Sequence, residues 1–260
     1  MHQYATRDLT EKEVQLVTDE HGWLQDEHMN IIHSLLKIKY PQNQGLQDTI
    51  RQEDLKWYIP KLNQDYIQIL NLDRTHWVVI TNICPHSNPL RNRSYCYLFD
   101  SKNFAFNETI FSLIEDFHAA DQFTVLMMNC QQQPNNSDCG VFSIANCIAL
   151  ASGYNPCLLH YINHRTNCLH MLMNKQTQVF EHRRRNVYLE DSVVAEIEVD
   201  KNRTPKWKVL EKCKDHPFYP TGSIEYAKVS HKETVKSGKR AIKWLDEKLD
   251  KTVPSHHLKQ

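Results

Sequence analysis

The apolar positions of this chain change rhythm several times, and each change marks an element. Between Leu9 and Val17 they recur with helical character until Asp19-Glu20-His21-Gly22 interrupts them with charge and a glycine. From Trp23 to Leu36 acids come first, apolar side chains follow at 29, 32, 35 and 36, and Pro41 supplies the stop, so an amphipathic helix is expected. Gly45-Leu46-Gln47-Asp48-Thr49 then reads as a turn. The rhythm shortens after Tyr66. Tyr66 to Leu72, a polar break at Asp73-Arg74-Thr75, and His76 to Ile80 predict two adjacent strands. After a loop over Pro85 to Asn92, Tyr95 to Phe99 predicts a third strand, ending at Asp100-Ser101.

Helical spacing returns at Ile110, Leu113, Ile114 and Phe117, and Phe123 to Met128 reads as a further strand. A polar run, Cys130-Gln131-Gln132-Gln133, leads to an apolar helix that begins at Cys139 and ends at Gly153, a residue suited to a left-handed cap. A packing helix is expected from Asn163 to about Asn174. Residues 176 to 191 read as a connection in which His182-Arg183-Arg184-Arg185 forms a solvated surface. Past residue 190 the composition turns to lysine and is broken by Pro205, Pro217 and Pro220. Between Lys232 and Leu249, Val235, Ile242, Leu245 and Leu249 share a helical face with Trp244 beside it, so a C-terminal amphipathic helix is expected.

Bulk composition narrows the class without naming a function. The 260 residues, 40% hydrophobic and 24% charged, suit one globular domain with an appendage or two small domains. Lys+Arg and Asp+Glu both number 31, so there is no overall electrostatic footprint for nucleic acid or an anionic membrane. The first eight residues lack the apolar core of a secretory leader, and no run approaches the ~20 apolar residues of a membrane span. An intracellular protein, nuclear or cytoplasmic and monomeric, is expected. The eight cysteines, at 84, 96, 130, 139, 147, 157, 168 and 213, form no CxxC pair and fit a reducing compartment. Four Asn-x-Ser/Thr sequons carry no weight without a secretory signal.

Candidate chemistry concentrates at Gln133-Pro134-Asn135-Asn136-Ser137-Asp138-Cys139-Gly140. This turn delivers a thiol onto the first turn of a helix, where orphan N–H groups and the positive end of the dipole favour a thiolate. Gly140 leaves the sulfur uncrowded, and the Gln133 amide could serve a developing oxyanion. The octapeptide alone fits a nucleophile and a buried core cysteine equally well. His76 at a strand start and Asp100 at a strand end add a base and an orienting carboxylate. Cys157, His160, His164, Cys168 and His170 form a second collection of metal-ligating types, but one helix cannot wrap four ligands tetrahedrally around an ion, so zinc is not expected. Trp23, just ahead of its helix, suits either a staple on the first turn or a ring that contacts substrate.

His76-Trp77 heading an apolar strand, Phe99-Asp100-Ser101, and Gln133-x-Asn135-x-x-Asp138-Cys139-Gly140 resemble, in this order, the signature blocks of the Ulp-type ubiquitin-like-protein-specific cysteine peptidases, the SUMO protease family. Trp23-Leu24-x-Asp26-x-x-Met29-Asn30 with Leu35-Leu36 resembles the family's Trp-Leu-x-Asp helix block, so the likeness spans roughly residues 9 to 180. Asn136 departs from the glycine often found there, and asparagine tolerates a left-handed backbone.

The resemblance implies a thiol peptidase or isopeptidase that cleaves after a Gly-Gly tail of SUMO or a related modifier through a thioester. In that reading Cys139 is the nucleophile, His76 the general base and later acid, and Asp100 the orienter of His76. Gln133 and the Cys139 N–H form the oxyanion hole, while Trp23 and Trp77 line a narrow tunnel for the tail. Asp138 is expected to hold the turn. The implied fold is α+β, a central mixed β-sheet flanked by helices with the nucleophile at the N-terminus of a buried helix. The peptidase domain is expected over residues 9–182, with a charged, partly helical extension over 183–260. No cofactor or metal is needed, and the partner is a ubiquitin-like modifier and its conjugates. Two other functions fit the same blocks: a catalytically silent modifier-binding module, and a viral or mobile-element type of peptidase whose substrate is not a modifier.

Overall fold

The computed structural model describes residues 2–49, 64–72, 74–85, 95–102, 111, 113–115, 122–187, 192–199 and 205–209. Three helices open the chain: α1 (His2–Ala5), α2 (Glu11–Thr18) and α3 (Asp26–Lys39). Thr10 and Glu13 form a capping box on α2, Glu13 Oε2 accepting from the Thr10 N–H at 2.7 Å while the Glu13 N–H donates to Thr10 Oγ1 at 3.3 Å. His28, on the first turn of α3, accepts from the Gln25 N–H through Nδ1 at 3.1 Å and so donates from Nε2 to the Glu13 carbonyl at 3.1 Å. Burial disfavours its charged form and pulls its pKa down, which keeps that tautomer neutral. The α2–α3 connection, which carries Trp23, is therefore pinned at both ends.

Six strands form one sheet in the order β1 (Ile67–Leu72), β2 (His76–Thr81), β3 (Tyr95–Phe99), β4 (Phe123–Met128), β7 (Val193–Val199) and β8 (Pro205–Val209). The β3–β4 pair is parallel and the other neighbours are antiparallel, so the sheet is mixed. Strands β1 to β4 are buried on both faces, which is why their sequences read as nearly continuous apolar runs. On one face Ile67, Ile69, Trp77, Val79 and Phe99 pack with the helical layer. On the other, Leu70, Val78, Ile80, Leu98, Val125 and Ile197 form a second core.

The helical layer centres on α4 (Cys139–Ala151), where every residue from Cys139 to Leu150 is buried. A helix apolar all round belongs in the interior. It lies against β1 and β2 on one side and against α3 and α5 (His164–Asn174) on the other. Its end is tied by the Gly153 N–H to the Leu150 carbonyl at 3.0 Å, with Gly153 at φ 80 where a side chain would be strained. Between α4 and α5 come a short 3-10 turn (Pro156–Leu158) and β5 (Leu159–Tyr161), which pairs with β6 (His182–Arg184).

The sheet continues past the domain boundary expected at residue 182. Strand β7 pairs with β4 from Phe123↔Val199 to Met128↔Val193, and β8 pairs with β7, so residues 193–199 and 205–209 complete the same sheet. The alternation of apolar and acidic residues in Val193-Val194-Ala195-Glu196-Ile197-Glu198-Val199 is that of a half-buried strand. The arginine run also divides. Arg183 and Arg184 are exposed, whereas Arg185 turns inward and donates to the carbonyls of Asn129 (2.7 Å) and Cys157 (3.0 Å). Of the helix expected around 110–117, residues 111 and 113–115 are described and are helical; the amphipathic segment 232–249 lies outside the described residues.

Candidate active site

Sheet topology brings the first two site residues together. Strand β2 starts at His76, and β3, antiparallel to it, ends just before Asp100. The pairing of the two strands closes at Val79↔Phe99, so Asp100 leaves β3 at the end of the sheet where β2 begins with His76. His76 Nε2 meets Asp100 Oδ1 at 2.7 Å, with both side chains within 3% of complete burial. Because Nε2 donates to the carboxylate, Nδ1 is the ring nitrogen left to exchange a proton with a thiol. The Lys102 N–H also donates to Asp100 Oδ1, at 2.8 Å.

The third residue arrives from β4. That strand runs parallel to β3, so both deliver their C-terminal ends to the same edge of the sheet, and the loop leaving β4 leads into α4. Cys139 is the first residue of α4 and is 1% exposed. His76 feels opposing influences. Burial pulls its pKa down, but the hydrogen bonds and charges of Asp100 and Cys139 outweigh burial and push it up to about 9. At neutral pH the imidazole therefore holds its proton, as an imidazolium that can pair with a thiolate does. Burial pushes the thiols of Cys96, Cys157 and Cys168, which have no such partner among the described residues, up to about 12.

Gln133 is held on three sides. Its backbone N–H donates to the Ser101 carbonyl at 2.8 Å, its Oε1 accepts from Ser101 Oγ at 2.7 Å, and its Nε2 donates to the Asn135 carbonyl at 2.6 Å. The amide orientation is thus assigned by its neighbours, and one of its two N–H bonds is already committed. Gln133 is thereby fixed to the residue that follows Asp100.

The two tryptophans sit differently. Trp77 is buried, 3% exposed, and its indole N–H donates to the Leu24 carbonyl at 2.9 Å. Its ring edge also closes on Gly140, where an added Cβ would lie 3.2 Å from Trp77 Cδ1, 2.9 Å from Leu24 Cβ and 2.8 Å from Met29 Cε. Trp23 is 42% exposed, with Lys102 Nζ 5.9 Å from its ring centroid while the same ammonium donates to the Asn136 carbonyl at 3.1 Å. Trp23 is therefore an exposed ring next to the cysteine loop, and Trp77 is part of the floor beneath Gly140.

Asp138 holds the turn through a cluster that nothing in the spacing signals. Its Oδ1 accepts from Arg165 Nε at 2.7 Å, and its Oδ2 accepts from His164 Nε2 at 2.8 Å and from Asn135 Nδ2 at 3.0 Å. Burial raises its pKa, but His164 and Arg165 hold the carboxyl below the usual aspartate value. Arg165 also donates to the carbonyls of Leu16 (3.0 Å), Val17 (3.1 Å) and Gly22 (2.8 Å). Cys157, His160, His164, Cys168 and His170 are dispersed over the 3-10 turn, β5 and α5; His164 is spent on Asp138, and among the described residues no group of three metal-ligating side chains is assembled.

No family model matches the chain, and no curated protein does. Among solved structures it is similar to the C-terminal protease domain of Ulp1 in complex with Smt3, the yeast ortholog of SUMO. The two are 16% identical, the match covers 65% of this chain and 85% of that one, and the TM-score is 0.50. The chain has the fold of the Ulp1 protease domain. A structure of SUMO protease Ulp1 with its catalytic cysteine oxidised to a sulfinic acid matches equally, at 15% identity, 65% and 85% coverage and a TM-score of 0.50. At such identities the likeness to Ulp1 is one of fold, and chemistry resides in the side chains of the site.

Proposed function

We propose that this protein is a cysteine-type peptidase that cleaves after the Gly-Gly tail of SUMO or a related ubiquitin-like modifier. The observation that carries the reading is the buried His76–Asp100 pair, 2.7 Å apart, beside a cysteine on the first turn of α4, on a fold shared with Ulp1. The Cys139 thiolate attacks the carbonyl carbon of the second glycine, forming the C–S bond. The oxyanion is met by the Cys139 backbone N–H and the remaining Gln133 amide N–H. His76 gives its Nδ1 proton to the departing amine as the C–N bond breaks, leaving a thioester. Water then attacks with His76 as base, and the thiolate leaves as the modifier's new carboxylate forms. Asp100 keeps the imidazole in the tautomer that makes both transfers available at Nδ1.

The substrate class is supported by access and by the neighbour's partner. A nucleophile only 1% exposed is best reached by an extended tail with no side chains, which a Gly-Gly terminus provides. Trp23 would cover such a tail, and Trp77 beneath Gly140 would form its floor. The Ulp1 domain of similar fold was captured with Smt3. The test is intact-mass analysis of wild type and His76→Ala incubated with a panel of ubiquitin-like modifiers that carry a C-terminal electrophile. A covalent adduct on Cys139 with one modifier, lost in His76→Ala, is expected. No adduct with any of them from folded wild-type protein would overturn the reading in favour of a silent binder or a peptidase with another substrate.

A further inference from the structure

We infer that Arg165 is a positioning residue that clamps the cysteine loop to the segment carrying Trp23, fixing the nucleophile relative to the ring that covers the substrate tail. The inference rests on the peptidase reading above and adds a residue that the signature blocks do not contain. Three observations carry it.

The first is saturation of the guanidinium. Arg165 Nε donates to Asp138 Oδ1, Nη1 to the carbonyls of Leu16 and Val17, and Nη2 to the Gly22 carbonyl and, at 3.5 Å, to Ser137 Oγ. A planar fork with five N–H bonds can satisfy these acceptors together, and an ammonium cannot. The second is what the acceptors are. Leu16 and Val17 lie in the last turn of α2, whose carbonyls have no helical partner and sit at the negative end of the dipole. Helix α2 has no basic residue of its own in that turn, so Arg165, from α5, supplies the missing cation.

The third is placement. Gly22 directly precedes Trp23, and a Cβ there would lie 2.2 Å from the Leu16 carbonyl oxygen, so the backbone is folded tightly onto the end of α2 around the guanidinium. On the other side of Trp23, the Leu24 carbonyl is held by Trp77 at 2.9 Å. Trp23 thus projects from a backbone gripped at both neighbours. One grip leads to Asp138, adjacent to Cys139, and the other to Trp77, adjacent to His76. Ser137 Oγ, donating to the Glu20 carbonyl at 2.8 Å, adds a second tie between the same two segments. The titratable groups facing Arg165 across this junction are Asp138, His164 and Cys168.

The test uses the full chain with iodoacetamide as the probe, reading Cys139 alkylation by peptide mass spectrometry from pH 5 to 9, together with hydrogen exchange. Wild type is expected to alkylate at pH 6 in a His76-dependent manner. In Arg165→Ala, alkylation at pH 6 should fall at least tenfold and its pH profile should move toward that of an isolated thiol, near ~8.5. Exchange should quicken together in segments 16–22 and 133–138, with strands β1 and β3 unchanged. Arg165→Lys keeps the charge beside Asp138 but not the fork, so it should recover part of the alkylation rate while segment 16–22 still exchanges fast; it decides the matter if Arg165→Ala does not fold. A lower Tm with wild-type alkylation and pH profile in both variants would make Arg165 merely structural and overturn the proposal alone. Wild-type Cys139 that alkylates as an ordinary thiol would overturn the peptidase reading and the clamp together.

Discussion

The indole N–H of Trp77 donates to the carbonyl of Leu24 at 2.9 Å, so the residue after the site histidine holds the residue after the exposed Trp23. Replacing Trp77 by Phe keeps a ring in the core but leaves the Leu24 carbonyl buried without that donor. The expected cost is about 1–3 kcal/mol, the desolvation penalty of an unsatisfied group. Urea unfolding should show a lower midpoint at unchanged slope.

Gly140 has no room for a methyl group. An added Cβ would come 2.8 Å from Met29 Cε, a flexible end that can move, but also 2.9 Å from Leu24 Cβ, which cannot move without its backbone. Gly140→Ala should destabilise by about 1–3 kcal/mol through overpacking. It should also slow Cys139 chemistry in the molecules that fold, because the strain falls one residue from the sulfur. Thermal melting and adduct formation on the same preparation check both parts.

The His76 pKa of about 9 makes a signed prediction about stability. A histidine raised above its unfolded value of about 6.5 binds its proton more tightly when folded. Its contribution is fully present below pH ~6.5 and is lost as pH rises through 9. Urea midpoints should therefore decline between pH 6.5 and 9 in wild type and decline less in His76→Gln. A midpoint that rises across this window would contradict the ion-pair description.

Gln133 should matter to turnover more than to folding. Gln133→Ala removes the amide donor, and loss of one oxyanion donor typically costs roughly 10²–10³-fold in kcat. Its backbone N–H bond to the Ser101 carbonyl remains available in the variant, so the loop should survive. Single-turnover cleavage with stability measured alongside separates the two effects.

Strands and helices that obey one periodicity were legible from sequence, and with them the ends where His76 and Asp100 stand. Their meeting is a matter of topology: antiparallel β2–β3 and parallel β3–β4 send three chain ends to one edge of the sheet. What escaped has an equally physical cause. Arg165 lies 27 positions from Asp138 on a different helix, and its other acceptors are backbone carbonyls, which leave no trace in residue type. Strands β7 and β8 lie in lysine-, glutamate- and proline-bearing sequence whose average polarity hides a period-two pattern. Trp77, which the resemblance led one to expect lining a tunnel, is buried beside Gly140, since alternation along β2 turns it toward the core that holds α4.

The most direct measurement is cleavage of modifier precursors that carry residues beyond Gly-Gly, by wild type and by Cys139→Ala, with product masses read at single-residue resolution. The account predicts one new C-terminus, immediately after the second glycine, produced by wild type and absent with Cys139→Ala. Cleavage at another bond, cleavage that survives loss of Cys139, or no cleavage of any precursor by folded wild-type protein would contradict it.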